Sequence, residues 1–173
     1  MNKCIFLDRD GVLNVERGDY TYLPEDFILV EGVPEAIRKI KDAGFLAVVV
    51  TNQAGITKGI YSRAQMQECH NTLMDQTHHL IDKIYYSPYH PSFSESISRK
   101  PDTLMIEKAM AKFDIDPHQS WLIGDRPRDI ECGKKMRLRT VWVTTEGPTE
   151  GCQPTFVAKN LLEAVDVVLG EMY

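Results

Sequence analysis

Ile5-Phe6-Leu7-Asp8-Arg9-Asp10-Gly11-Val12-Leu13-Asn14 is a short apolar run that ends in two carboxylates and a glycine. The run predicts a buried strand, and Gly11 breaks it. Side chains alternate along a strand, so Asp8 and Asp10 leave the same side of the backbone if the strand geometry persists. By the same rule Arg9 points away from them and reads as structural. Two acids at a strand end can hold Mg2+, or one can attack while the other moves a proton. Taken alone, Asp-x-Asp is equally compatible with a surface turn.

Working outward, strand-like runs alternate with helical patterns. Lys3–Leu7 is the first strand. Val33–Ala43 reads as a helix, with Pro34 early and Gly44 as its stop. Phe45–Val50 is a continuous apolar run, typical of a strand covered on both faces. Ser62-x-x-Gln65 is a capping box that opens a helix to about Ile81. Lys83–Ser87 is strand-like, Tyr89–Arg99 a polar loop, and Asp102 caps a helix to about Phe113. Ser120–Ile123 is a strand, Ile130–Met136 a short helix, Thr140–Val143 a strand and Leu161–Leu169 a closing helix. This alternation predicts an α/β fold: a doubly wound, mostly parallel sheet with helices on both faces, as one domain over residues 1–173.

The composition agrees with a globular protein. Of 173 residues, 43% are apolar and 26% charged, enough for a real core. The net charge of −5, without a long basic run, argues against nucleic acid and membrane surfaces as partners. It leaves phosphate substrates open, because a bound cation and a few local bases can reverse the field of a pocket. Cys4, Cys69, Cys132 and Cys152 are scattered and form no CxxC. They read as reduced thiols of a cytoplasmic protein. The chain enters its first strand almost at once and carries neither a signal-peptide pattern nor a membrane-spanning run. Nothing specifies an oligomer, and a monomer fits.

In open α/β sheets, ligands bind outside the carboxyl ends of the strands. Four strand ends carry polar groups: Asp8 and Asp10; then Thr51-Asn52-Gln53; then, through a loop, Arg99-Lys100-Pro101; then Gly124-Asp125-Arg126, with Asp129 following. A nucleophilic carboxylate, a hydroxyl, an ammonium and a third acid suit Mg2+-assisted phosphoryl transfer. Each has a simpler role if taken singly: Thr51 in a turn, Lys100 as a solvated lysine, Asp125 as a helix cap, Asp129 as an acid of a first helical turn. Their joint occurrence at successive strand ends favours a site.

These residues resemble the haloacid dehalogenase-like phosphohydrolases, which carry DxDG after the first strand, Thr or Ser after the second, a Lys further on and a GDxxxD-type motif. Here these read Asp8-Arg9-Asp10-Gly11, Thr51, Lys100 and Gly124-Asp125-x-x-x-Asp129. Longer strings, Phe6–Asn14, Val49–Ile56, Ile84–Tyr86 and Arg99–Pro101, are similar to the subgroup of D-glycero-D-manno-heptose 1,7-bisphosphate 7-phosphatases and histidinol-phosphate phosphatases.

The resemblance implies that Asp8 attacks phosphorus and Asp10 acts as acid and then base. Mg2+ is held by Asp8, the Asp10 carbonyl and Asp125, and Thr51 and Lys100 bind the transferred group. It further implies substrate contacts from Glu16, Arg17, Gly18 and Asp19 on a flap, from Thr51, Asn52, Gln53 and Ala54, from Arg99 and Lys100, and from Arg126. The implied substrate is a small sugar bisphosphate, and Arg99 suits its second phosphate. Members of the subgroup usually carry a zinc loop of the form CxH…CxC. Here its positions read Ser87, Tyr89, Ser96 and Ser98, so no structural zinc is expected. The segments flanking Thr51 are too short for a large cap domain. The nearest alternative is a histidinol-phosphate phosphatase; a phospho-accepting receiver domain and a DNA 3′-phosphatase stand further off. Against the receiver domain, the third strand ends without an Asp; against the DNA 3′-phosphatase, the charge is acidic.

Overall fold

Alternate residues of the opening run enter opposite sides of one sheet. Ile5 and Leu7 join one buried cluster, while Cys4 and Phe6 join another on the opposite face. This two-sided burial explains why the strand reads as continuously apolar. The computed structural model describes residues 1–172. The run is β1 (Cys4–Leu7), and it sits between β2 (Leu46–Asn52) and β4 (Trp121–Gly124). With β3 (Lys83–Ser87), β5 (Arg139–Val143) and β6 (Phe156–Ala158), the sheet order is β3-β2-β1-β4-β5-β6, every pairing parallel. Leu7 pairs with Val49 on one side and Ile123 on the other.

Five helices cover the faces. α1 (Val33–Asp42), α2 (Arg63–Gln76) and α5 (Leu161–Gly170) place Ile37, Leu73 and Val165 in the first cluster. α3 (Leu104–Phe113) and α4 (Pro127–Lys135) place Ile106 and Cys132 in the second. Strand order runs one way from β1 through β2 and the other way from β1 through β4. The crevice where that direction reverses lies at the carboxyl ends of β1 and β4, where Asp8 and Asp125 follow. The stretches between β1 and β2, and between β2 and β3, hold only α1 and α2 as α-helices, so no cap domain stands over this crevice. All four cysteines are free. Among the described residues no helix is long and apolar enough to cross a membrane.

Three local expectations need correction, and one strand lies outside them. α2 ends at Gln76 rather than near Ile81, because the Thr77 hydroxyl bonds back to the Leu73 carbonyl and His78 and His79 turn left-handed. α3 is preceded by Thr103, not capped by Asp102, whose carboxylate lies 3.7 Å from the Lys135 ammonium. α4 begins three residues earlier than the apolar pattern suggests, because Pro127 suits a first helical turn. β6, three residues at the sheet edge, is too short to show an alternation.

The capping box of α2 is formed as expected: Gln65 N–H donates to the Ser62 hydroxyl at 3.2 Å, and Ser62 N–H to the Gln65 side chain at 2.9 Å. Ser62→Ala should therefore lower stability by about 1 kcal/mol in denaturant unfolding, with the slope unchanged.

Candidate active site

β1 stops at Leu7, and the chain then turns instead of continuing the strand. Asp8 N–H still donates to the Ile123 carbonyl at 3.0 Å, which fixes the Asp8 backbone at the β1/β4 crevice. Beyond it, Leu13 N–H donates to the Arg9 carbonyl at 2.8 Å and closes a tight loop. Gly11 is left-handed there (φ +85°), and a Cβ on it would lie 2.1 Å from Asp125 Oδ2. Glycine is thus required twice over, for the backbone angle and for room beside the third acid.

The turn overturns the expected direction of Arg9. Its side chain is buried and comes back to Asp10, with Nη2 2.9 Å from Asp10 Oδ1, and it also donates to the Thr21 carbonyl at 2.9 Å. Asn14 Nδ2 donates to the same Asp10 oxygen at 3.0 Å, and Gln53 Nε2 to Asp10 Oδ2 at 3.0 Å. Gln53 is itself held, by donation to Thr51 Oγ1 at 2.9 Å and by acceptance from the Tyr61 hydroxyl at 2.6 Å. Burial pushes the Asp10 carboxyl up, but Arg9 and then the other hydrogen bonds outweigh it, and its pKa falls below the usual carboxylate value.

Lys100 is the centre of the second group. It is 1% exposed, with its ammonium 2.8 Å from Asp8 Oδ1 and 2.7 Å from Asp129 Oδ1. Its backbone is clipped to β2: Lys100 N–H donates to Asn52 Oδ1 at 3.0 Å, and Asn52 Nδ2 donates back to the Lys100 carbonyl at 3.1 Å. Asp129, fully buried, also accepts the Arg126 N–H at 3.0 Å and so caps α4. Its approach depends on Gly124, where a Cβ would stand 2.3 Å from Asp129 Cβ.

One ammonium serves several acids here. Oxygens of Asp8, Asp125 and Asp129 lie within 4.8 Å of one another. Burial disfavours the Lys100 charge, but Asp129 and Asp8 outweigh it and hold its pKa above the usual lysine range. Lys100 cannot offset the whole cluster in return. Burial, then the Asp129 charge, pushes Asp8 up to about 6 against Lys100. Burial, then Asp8 and Asp129, pushes Asp125 up to about 8. Three carboxylates against one buried ammonium, with the half-exposed Arg126 guanidinium 3.5 Å from Asp125, leave a net negative charge for a divalent cation to meet. Asp125 Oδ1 is buried without a hydrogen-bond partner. An all-oxygen donor set with an orphaned carboxylate oxygen fits Mg2+.

A cleft of about 370 Å3 opens beside these groups. Of the sequence-predicted residues, Asp10, Glu16, Gly18, Asp19, Asn52, Gln53 and Arg126 line it. Arg17 is drawn to Asp26 at 2.7 Å, and Ala54 is buried; neither lines the cleft. Thr51 is buried behind Gln53, and Arg99 borders a neighbouring groove with Lys100. The cleft adds Arg9, Tyr20, Thr21, Tyr61 and Arg128, which the sequence pattern did not single out as site residues. Tyr61 stacks on Tyr22, with ring centroids 5.2 Å apart, and this aromatic wall arises from residues distant in sequence. The serines at the expected zinc-loop positions do converge: Ser98 Oγ lies 2.9 Å from Ser87 Oγ and 2.8 Å from Ser96 Oγ. The loop is closed by hydroxyl hydrogen bonds.

The acid cluster has a consequence for pH. Without metal, Asp8 and Asp125 bind protons more tightly folded than unfolded, so they cost stability as pH rises from about 4 towards 8. Buried His70, held neutral to about 3 chiefly by desolvation, works oppositely below its ordinary pKa, with or without metal. The rise in Tm on adding millimolar Mg2+ should therefore grow between pH 5 and pH 8. Scanning calorimetry with and without Mg2+ checks this, and a shift independent of pH would contradict it.

The sequence matches the HAD-hydrolase-like family over residues 97–164. It is 36% identical to the D-glycero-D-manno-heptose-1,7-bisphosphate 7-phosphatase of Chlorobaculum tepidum, over 98% of this chain and 96% of that protein. It is 37% identical to the D-glycero-beta-D-manno-heptose-1,7-bisphosphate 7-phosphatase of Pasteurella multocida, over 98% of both. The fold matches the crystal structure of D,D-heptose 1,7-bisphosphate phosphatase from B. bronchiseptica, complexed with magnesium and phosphate, with a TM-score of 0.87 and 24% identity over 98% of this chain and 99% of that one. The chain belongs to the haloacid dehalogenase-like hydrolases, among the heptose 1,7-bisphosphate 7-phosphatases and their relatives.

Proposed function

We propose that this protein hydrolyses the 7-phosphate of D-glycero-D-manno-heptose 1,7-bisphosphate through an aspartyl-phosphate on Asp8. The observation that carries this reading is the buried Asp8–Lys100–Asp129 group at the carboxyl ends of β1 and β4, in a chain aligned almost end to end with heptose bisphosphatases. Lys100 keeps Asp8 fixed and lowers its proton affinity, which favours the attacking carboxylate.

In the first half-reaction an Asp8 oxygen attacks phosphorus, the bond to the sugar oxygen breaks, and Asp10 gives that oxygen a proton. In the second, Asp10 takes a proton from water, the water oxygen attacks phosphorus, and the Asp8–phosphorus bond breaks to release phosphate. Asp10 thereby regains the proton it gave up. The donors from Arg9, Asn14 and Gln53 suit it to the base step. For the acid step, the anionic phosphate arriving beside Asp10 raises its proton affinity. Asp8, Asp125 and the Asp10 carbonyl would hold Mg2+, which would supply positive charge at the phosphoryl oxygens. Thr51 and Lys100 bind the transferred group, and Glu16, Gly18, Asp19, Asn52 and Gln53 face the sugar. Arg99 takes the second phosphate.

Phosphate release should be faster with a heptose 1,7-bisphosphate than with histidinol phosphate or an oligonucleotide 3′-phosphate, by about tenfold or more in kcat/KM. A preference for histidinol phosphate would overturn the substrate assignment. Asp8→Asn should cut kcat by about a thousandfold or more while the protein stays folded by circular dichroism. Elemental analysis of protein purified without added metal should find zinc far below one ion per chain, since the converging serines offer no thiolate.

A further inference from the structure

The cleft holds a positive charge that the reaction as derived does not use. Arg128, the second residue of α4, lines the same wall as Asp10 and Asn52. Among the described residues it forms no salt bridge and no side-chain hydrogen bond, and its Nε is buried without a partner. The other arginines of this wall are committed: Arg9 to Asp10, and Arg126, half exposed, to Glu16 at 3.4 Å and Asp125 at 3.5 Å.

Arg99 is in a similar position. Its guanidinium donates to the Tyr89 carbonyl at 3.2 Å and meets no carboxylate among the described residues. It borders the groove next to the cleft that Arg128 lines, and burial, then the Arg128 charge, lowers its pKa. A partly buried guanidinium with an unpartnered nitrogen is stabilised by an anion beside it. Planar guanidinium forks match phosphate oxygens two at a time.

We infer that Arg128 is a specificity residue of this site, gripping from the cleft the phosphate that is not transferred and so making the enzyme select bisphosphates over monophosphates. This rests on the proposed function, since it needs a substrate with a second phosphate. Arg126, whose charge is already shared with two acids, contributes less to that grip.

The test compares heptose 1,7-bisphosphate with heptose 7-phosphate in steady-state kinetics of wild type, Arg128→Ala and Arg128→Lys. Arg128→Ala should raise KM for the bisphosphate about tenfold, with kcat little changed and the 7-phosphate parameters unaltered. Arg128→Lys should recover part of the loss, as a point charge without the fork. If wild type prefers the bisphosphate and Arg128→Ala keeps that ratio, the inference fails and the functional reading stands. Equal losses on both substrates with a lower Tm would assign Arg128 a structural role and also overturn it. A wild type that does not prefer the bisphosphate would overturn the functional reading, and the inference with it.

Discussion

A buried ammonium with two carboxylates on it organises this molecule. Lys100 has almost no contact with water, and a lysine so placed persists only if acids surround it. Those acids come from separate elements, Asp8 from the end of β1 and Asp129 from the first turn of α4. The ion pairs therefore fasten three distant parts of the chain at one point. Other local features serve that point. Asn52 clips the Lys100 backbone to β2, Gly124 admits Asp129, and Gly11 admits Asp125. Removing one partner leaves a buried charge uncompensated, so the group is a constraint on folding.

The sheet determines where such a point can exist. All six strands are parallel, so every carboxyl end faces the same edge, and the order reverses between β1 and β4. Loops leaving those two strands diverge, and the crevice between them receives the acids. Core packing on both faces holds this edge rigid. Side chains of β1 and β2 alternate between the two clusters, so neither strand can slip by one residue without exchanging its faces. The excess negative charge of the cluster is then the reason a divalent cation is needed. It is also the reason metal-free protein pays for those acids as pH rises.

Much of this was legible in the sequence because it rests on short-range pattern. Apolar runs marked β1, β2 and β4, and the polar residues just past them marked Asp8, Thr51 and Asp125. Ser62 and Gln65 marked the start of α2. The failures have physical causes. Strand alternation sends Arg9 away from Asp10, but the chain turns after Asp8 and its guanidinium closes on Asp10 instead. Tyr61 and Arg128 reach the cleft through tertiary packing, and nothing in their neighbours' spacing signals it. Asp102 looked like a cap because of its residue type, yet its carboxylate faces Lys135. The convergence of Ser87, Ser96 and Ser98 shows the opposite case, where positions read from a family pattern did come together with different chemistry.

The catalytic account turns on Asp8 as the group that carries phosphorus between sugar and water. Two successive displacements at phosphorus restore its configuration, whereas a single attack by water inverts it. The direct measurement is the stereochemistry of hydrolysis of a heptose bisphosphate whose 7-phosphorus is made chiral with sulfur and oxygen isotopes, carried out in isotopic water. The account predicts retention of configuration in the released thiophosphate. Inversion would contradict it.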